Sequence, residues 1–357
     1  MNKLLLLPLI LPFIMLFAFT ADKSEEKINA TLANPSINHP EELGQVNWIR
    51  NYDEAKKVAQ QTSKPILILF QEVPGCGTCK RFGNDVLSHP LIVDAIEEAF
   101  VPLAIYNNHK GHDAEILKAF KEPAWNNPVV RFIDGNKKEL SSRIGDYNAL
   151  SLVNGMIDAL NNVKQNTPAY LDLLQQDLTA QLTDTEKASF AMFCFWTGEA
   201  KLGNIDGVVS TEPGFMGGHE VVTVEYNPAI LNFETLTKEA KNLSCASKVF
   251  VDNAQQKESA EKVLTANSIK KSSNFRADHE PKYYLSKSIY QHIPMLPVQA
   301  SKVNALVGQG KDPSVLLSPR QLAMRDKLKA KNSGQTNYLS CVNFLSCWEK
   351  AVLETGL

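Results

Sequence analysis

At 357 residues, with 37 basic against 39 acidic side chains and an ordinary 44% hydrophobic and 21% charged content, the chain is long enough for two domains. The near-neutral balance argues against nucleic acid or an anionic membrane surface as the main partner. Six cysteines, Cys76, Cys79, Cys194, Cys245, Cys341 and Cys347, are spread too widely for the dense framework of a small secreted scaffold and point instead to redox chemistry. The seven histidines form no cluster, so no metal and no cofactor is expected.

Lys3 precedes an apolar run, Leu4–Phe19, broken by Pro8 and Pro12, with the small residues Ala18, Thr20 and Ala21 around its end before the polar Asp22-Lys23-Ser24. This reads as a secretory signal over 1–20, cut after Thr20. As a helix the run would reach only about 24 Å, short of a ~30 Å hydrocarbon core. Membrane contact is expected only if the segment stays uncleaved, as an anchor. The chain is therefore expected to be exported and periplasmic, with 21–44 a polar spacer.

A helical pattern runs from Tyr52 to Thr62, and Lys64-Pro65 leads into Ile66-Leu67-Ile68-Leu69-Phe70, a continuous apolar run that suits a strand buried on both faces. It ends in Val73-Pro74-Gly75-Cys76-Gly77-Thr78-Cys79. A Cys-x-x-Cys at a helix start puts Cys76 where free N–H groups stabilise a thiolate, and Cys79 one turn on along the same face. A structural zinc site needs a second ligand pair, and none follows nearby. Helices at Leu91–Ala99 and Ala114–Phe120 flank a strand at 100–106. A strand opened by Pro128 follows, then a second short strand and a helix from Ala149 to Leu160. This order resembles the thioredoxin fold across 45–165. The resemblance implies that Asn127–Pro128 is cis and faces the redox pair, with Pro128 in the substrate-binding surface. Val73-Pro74-Gly75 also resembles a bacterial thioredoxin-like group whose first redox residue can be selenocysteine, where this chain has Cys76. A connector, 166–185, holds a helix from Tyr170 to Leu182.

The apolar run Ala188–Phe193 then stops at Cys194, followed by Phe195, Trp196 and residues that can start a helix. A thiol at a strand-to-helix junction beside two aromatics suits attack on a polarised sulfur or carbon. The bland alternative is a buried, inert cysteine. Further on come Gly214-Phe215-Met216-Gly217-Gly218, the alternating run His219–Tyr226, a helix opened by Asn232, and Ser247-Lys248-Val249-Phe250. Taken in this order across 186–290, these pieces resemble the peptide methionine sulfoxide reductase A family. The resemblance implies that Cys194 attacks the sulfoxide sulfur, releases methionine and becomes a sulfenic acid. A second cysteine then resolves it as a disulfide, which thioredoxin reduces. Phe195, Trp196 and Phe215 would line the substrate site. Two positions depart from the family, which has glycine at Phe193 and a tyrosine hydroxyl for the substrate oxygen at Phe215. The family's insert before His219, with its acidic proton donor, is missing, and the loop before Ser247 is shortened. Glu199 could substitute as donor or be a solvated helix-face carboxylate.

From 291 onward the chain reads as a tail, with Pro294, Pro297 and Pro319 and two cysteines. Cys341 and Cys347 could resolve Cys194, as could Cys245, or form a structural disulfide through a loop, since six positions apart is roughly 240° around a helix. The fold class expected is α/β and α+β: a thioredoxin-like fold, a reductase A-like domain and a C-terminal tail. The function expected is an exported thiol oxidoreductase reducing methionine sulfoxide or oxidised protein at Cys194. Cys76 and Cys79 serve as in-chain reductant, re-reduced by an external thiol donor. The alternative is a disulfide oxidoreductase whose second domain only binds oxidised protein.

Overall fold

The computed structural model describes residues 40–330 and 335–357. The expected signal peptide and most of the spacer lie outside the described residues. The end of the spacer is built into the fold: Glu41–Leu43 form a 3-10 turn in which Glu42 and Leu43 are buried.

Helix α1 (Tyr52–Thr62) starts at Asn51, whose side chain accepts the Glu54 N–H, and stops at Ser63 in the left-handed region. Strand β1 (Ile66–Gln71) is buried at every position because it is the centre of a three-stranded sheet of order β2-β1-β3. It runs parallel to β2 (Val101–Tyr106) and antiparallel to β3 (Val129–Ile133). The sheet is accompanied by α2 (Gly77–Arg81), which continues as a π turn to Val86, and by α3 (Pro90–Ala99), α4 (His112–Ala119) and α5 (Ala149–Asn162). The second short strand expected after Gly135 is reduced to two isolated bridges, Val130 with Ile144 and Ile133 with Glu139. Asp134 explains the loss, because its carboxylate takes the N–H groups of Asn136 and Lys138 and tightens the turn at the expense of a ladder.

Helix α6 (Ala169–Leu182) leads to a six-stranded sheet of order β8-β7-β4-β6-β5-β9. Its strands are β4 (Glu186–Ala191), β5 (Val208–Met216), β6 (His219–Tyr226), β7 (Lys248–Val251), β8 (Ile269–Lys271) and β9 (Arg276–Ala277). Helices α7 (Phe195–Gly203), α8 (Phe233–Asn242), α9 (Ala254–Glu261) and α10 (Tyr283–Ser286) complete this part. The missing insert has a direct structural counterpart. Met216 pairs with His219 across a two-residue turn in which Gly217 has φ 56° and Gly218 φ 78°. A tight hairpin needs positive φ at both positions, which glycine adopts without steric cost.

The C-terminal stretch expected as a tail is folded. It contains α11 (Pro297–Gly308), α12 (Pro319–Lys329) and α13 (Phe344–Thr355). Its prolines misled because they look like breakers, yet Pro297 and Pro319 sit in first helical turns, where no N–H is needed. Ser318 and Gln321 form a capping box in front of α12. These helices bind both sheets. Lys302 of α11 reaches the carbonyls of Asn204 and Ile205 at 2.8 and 2.9 Å, at the end of α7. Arg320 of α12 pairs with the buried Asp94 of α3 and lies over the Trp348 ring of α13. Trp348 and Ala351 enter the same core as Leu91, Ile92 and Val93 of α3. Among the described residues, no helix is long and apolar enough to cross a membrane.

Candidate active sites

Two thiol centres stand in different parts of the molecule. In the first, Cys76 caps α2 and is exposed, while Cys79, one turn on, is fully buried, with the sulfurs 3.7 Å apart. Backbone hydrogen bonds from Cys79 and Thr78 hold the Cys76 thiol below its ordinary value. Burial, followed by the hydrogen bond with Cys76, pushes the Cys79 thiol up to about 11. An exposed, more acidic thiol in front and a buried, less acidic thiol behind is the asymmetry a disulfide exchange needs, with Cys76 attacking and Cys79 releasing the mixed disulfide. Asn127–Pro128 is cis and Pro128 is buried, and the Asn127 side-chain oxygen accepts from the Cys79 thiol at 2.6 Å. The Val73–Pro74 bond is also cis, which the sequence reading did not anticipate.

Glu42 was missed as well: its carboxylate accepts the Gly75 N–H at 2.8 Å and buttresses the redox loop from beneath. Nothing in a polar spacer marks one glutamate as buried. An oxygen of Glu72 and the two sulfurs lie within 4.8 Å of one another. They offer three donors, one fewer than a closed tetrahedral zinc site takes.

In the second centre, Cys194 follows β4 and caps α7, half-buried and with an extended backbone. The preceding Phe193 is 98% exposed. The Thr197 hydroxyl lies 3.6 Å from the Cys194 sulfur and 3.0 Å from the Tyr284 hydroxyl. Glu220, from β6, accepts the Phe195 N–H at 3.1 Å and so occupies one of the free donors at the helix start. Beside the sulfur is an aromatic cluster. Phe195 packs 5.6 Å from Trp196 and 5.3 Å from Phe215 between ring centres. Trp196 stacks on Tyr283 at 4.1 Å and donates its indole N–H to Asp278 at 3.2 Å. The structure thus brings Cys194, Phe195, Trp196 and Phe215 together. It adds Thr197, Glu220, Asp278, Tyr283 and Tyr284, of which only the alternation of the His219–Tyr226 strand gave a hint.

Glu199 is not on a solvated face. It is fully buried, with Lys282 Nζ 2.9 Å from one carboxylate oxygen and the Lys282 N–H 2.8 Å from the other. The Thr211 hydroxyl donates to it as well. Both oxygens are engaged in tying α7 to the start of α10, which makes Glu199 a structural ion pair rather than a free acid. The reason is helical geometry: one turn beyond Phe195, the position faces the interior against β5 and the Lys282 segment.

The three cysteines considered as resolving groups are placed elsewhere. Cys245 is buried in the core, donates to the Leu243 carbonyl at 3.4 Å, and has its thiol pushed up by burial. Cys341 and Cys347 are joined in a disulfide, with Cys341 ahead of α13 and Cys347 inside it. This is the pairing through a loop that the six-position spacing left open. Among the described residues, no hydrogen bond, ion pair or ring contact connects the 72–82 redox segment with the Cys194 cluster.

A thioredoxin-like family model matches residues 47–135. The peptide methionine sulfoxide reductase MsrA 1 of Nostoc sp. (strain PCC 7120) is 31% identical over 144 residues, covering 30% of this chain and 87% of that protein. The peptide methionine sulfoxide reductase MsrA of Methanococcus maripaludis (strain C6) is 42% identical over 72 residues, covering 15% of this chain and 46% of that protein. The chain thus spans about half the length of the archaeal relative. Among solved structures, a DsbH oxidoreductase is 20% identical with a TM-score of 0.29, covering 38% of this chain and 98% of that one.

Proposed function

Because this chain belongs to the peptide methionine sulfoxide reductase MsrA family and carries a thioredoxin-like region at residues 47–135, we propose that it is a thiol oxidoreductase that reduces methionine sulfoxide at Cys194. The observation that carries this reading is the half-buried Cys194 at the start of α7, with a hydroxyl on its sulfur and Phe195 and Trp196 beside it. Cys194 attacks the sulfoxide sulfur. Its thiol proton moves to the oxygen, the S–O bond breaks, and methionine leaves while Cys194 becomes a sulfenic acid. The sulfenic acid condenses with the exposed Cys76 thiol, losing water and forming a Cys194–Cys76 disulfide. Cys79 then attacks Cys76, releases the Cys194 thiol, and leaves Cys76–Cys79 oxidised. An external thiol donor re-reduces that pair, and an exported, periplasmic location fits the N-terminal sequence.

Cys76 is favoured for the condensation step because Cys245 is buried and Cys341 is already paired with Cys347. The separation of the two centres means that Cys76 acts after a rearrangement or from a second molecule. Turnover proportional to the square of protein concentration at low concentration supports the second route, and strict proportionality the first.

A second reading has its own support. Phe215 has no hydroxyl and Glu199 is tied up by Lys282, so the thioredoxin-like part could act alone on disulfides while the Cys194 region only binds oxidised protein. Assays of both methionine sulfoxide diastereomers with the wild type, Cys194→Ser and Cys76→Ser decide between them. Stoichiometric single-turnover reduction that survives Cys76→Ser but not Cys194→Ser is the expected result. No reduction of either diastereomer, with insulin disulfide reduction intact, sinks the reductase reading and leaves the second.

A further inference from the structure

Reducing a sulfoxide requires something to bind the oxygen as charge builds on it, and Phe215 leaves that place without a hydroxyl. The cross-strand neighbour of Phe215 supplies a different donor. Arg276 lies directly opposite Phe215 in the β5–β9 ladder, so the two side chains project from the same face of the sheet. The Arg276 guanidinium carbon stands 4.3 Å from the centre of the Phe215 ring, and that ring is 5.3 Å from Phe195, the residue after the nucleophile. Arg276 is exposed, and among the described residues its guanidinium makes no ion pair or hydrogen bond. Its planar fork of N–H donors is therefore unspent. The neighbouring acid is not: Asp278 is engaged by the Trp196 indole and the Glu280 N–H.

We propose that Arg276 is the group that binds the sulfoxide oxygen in this chain, held over the cluster by the Phe215 face. The proposal rests on the reading of Cys194 as a sulfoxide-reducing thiol and adds the residue that replaces the absent tyrosine. Arg276 keeps its protons throughout. It donates hydrogen bonds to the oxygen and offsets its developing negative charge, while the proton that ends on the oxygen comes from the Cys194 thiol. Two electrons pass from the Cys194 sulfur to the sulfoxide sulfur, the oxygen goes to Cys194, and the products are the thioether and the sulfenic acid, so the step balances without another reactant. A phenylalanine under the guanidinium also has a role here, since a flat ring supports the cation and leaves its edges free to donate.

The test separates binding from turnover. The full chain carrying Cys194→Ser is titrated with N-acetylmethionine sulfoxide methylamide and with the matching thioether, both uncharged, following intrinsic tryptophan fluorescence, to which Trp196 at the site contributes. The expected result is a preference for the sulfoxide of about tenfold or more, lost on adding Arg276→Ala and partly retained with Arg276→Lys. A preference that Arg276→Ala leaves within about twofold of its starting value overturns the proposal, as does the absence of any preference. An Arg276→Ala effect confined to free methionine sulfoxide, which carries a carboxylate, also overturns it and makes Arg276 a carboxylate clamp. With Cys194 intact, Arg276→Ala should lower kcat/KM by about 10²-fold. If the wild type turns over no sulfoxide while the Cys194→Ser protein still shows the Arg276-dependent preference, the reductase reading falls and the oxygen-binding role stands.

Discussion

The two thiol centres differ in what surrounds the reacting sulfur. Around Cys76 every group has a clear use in disulfide exchange. The lead thiol is exposed and held low, the second is buried and high, and the Asn127–Pro128 segment closes over the pair. Around Cys194 the apolar part is complete, with three rings packed on one another and Tyr283 behind them. The polar part is rebuilt: a carboxylate on the helix N–H, a hydroxyl pair at the sulfur, and an arginine over a phenylalanine. A pocket that recognises a thioether is made of area and shape and tolerates change around it. Activation of an oxygen depends on one or two donors in fixed places, and those can be exchanged only by moving the chemistry to other side chains.

Four measurements would break or sharpen this contrast. The largest effect is expected from Cys76→Ser, which should reduce insulin disulfide reduction to background while Cys194→Ser leaves it at the wild-type rate. A loss with Cys194→Ser would mean that the centres are not separate. Next is Glu199→Ala, which strands Lys282 and should cost about 3–5 kcal/mol of stability, read as a lower urea midpoint. Were Glu199→Ala to spare stability and abolish sulfoxide turnover, the carboxylate would be an acid after all. Phe215→Tyr restores a hydroxyl beside the pocket and should raise sulfoxide turnover by up to about 10²-fold, measured as kcat/KM. No gain, or a loss, would show that the site has no use for a donor at that position.

The smallest expected effect is in alkylation by iodoacetamide. The Cys76 thiol lies below its ordinary value and the Cys79 thiol at about 11, so the thiolate fraction of Cys76 is the larger at neutral pH. With Cys79 also fully buried, Cys76 should be the faster of the two to be modified at pH 7. Its rate should level off as pH rises through the lowered value, while that of Cys79 continues to climb. Equal rates across the range would remove the asymmetry.

Much of this was legible because the sequence states it locally. The continuous run Ile66–Phe70 is a central strand, Asn51 and Asn232 cap the helices that follow them, and Cys194 marks the junction of β4 and α7. The failures share a different cause. Glu199, Glu42 and Lys302 are charged residues whose burial is decided by partners far along the chain, Lys282, Gly75 and the end of α7. Arg276 looks like any surface cation until the register of a two-residue edge strand puts it opposite Phe215. The C-terminal helices were hidden by prolines whose meaning depends on position: the same residue ends a helix in its interior and begins one in its first turn.

The docking of α13 has a consequence for how the protein is made. Trp348 and Ala351 belong to the same core as Leu91, Ile92 and Val93 of α3, yet they are synthesised more than two hundred and fifty residues after Leu91. During translation the earlier sheet emerges first, and this core lacks its Trp348 side until the 344–355 segment has been made. In the interval the nascent chain carries a sticky surface of the kind that holding chaperones cover.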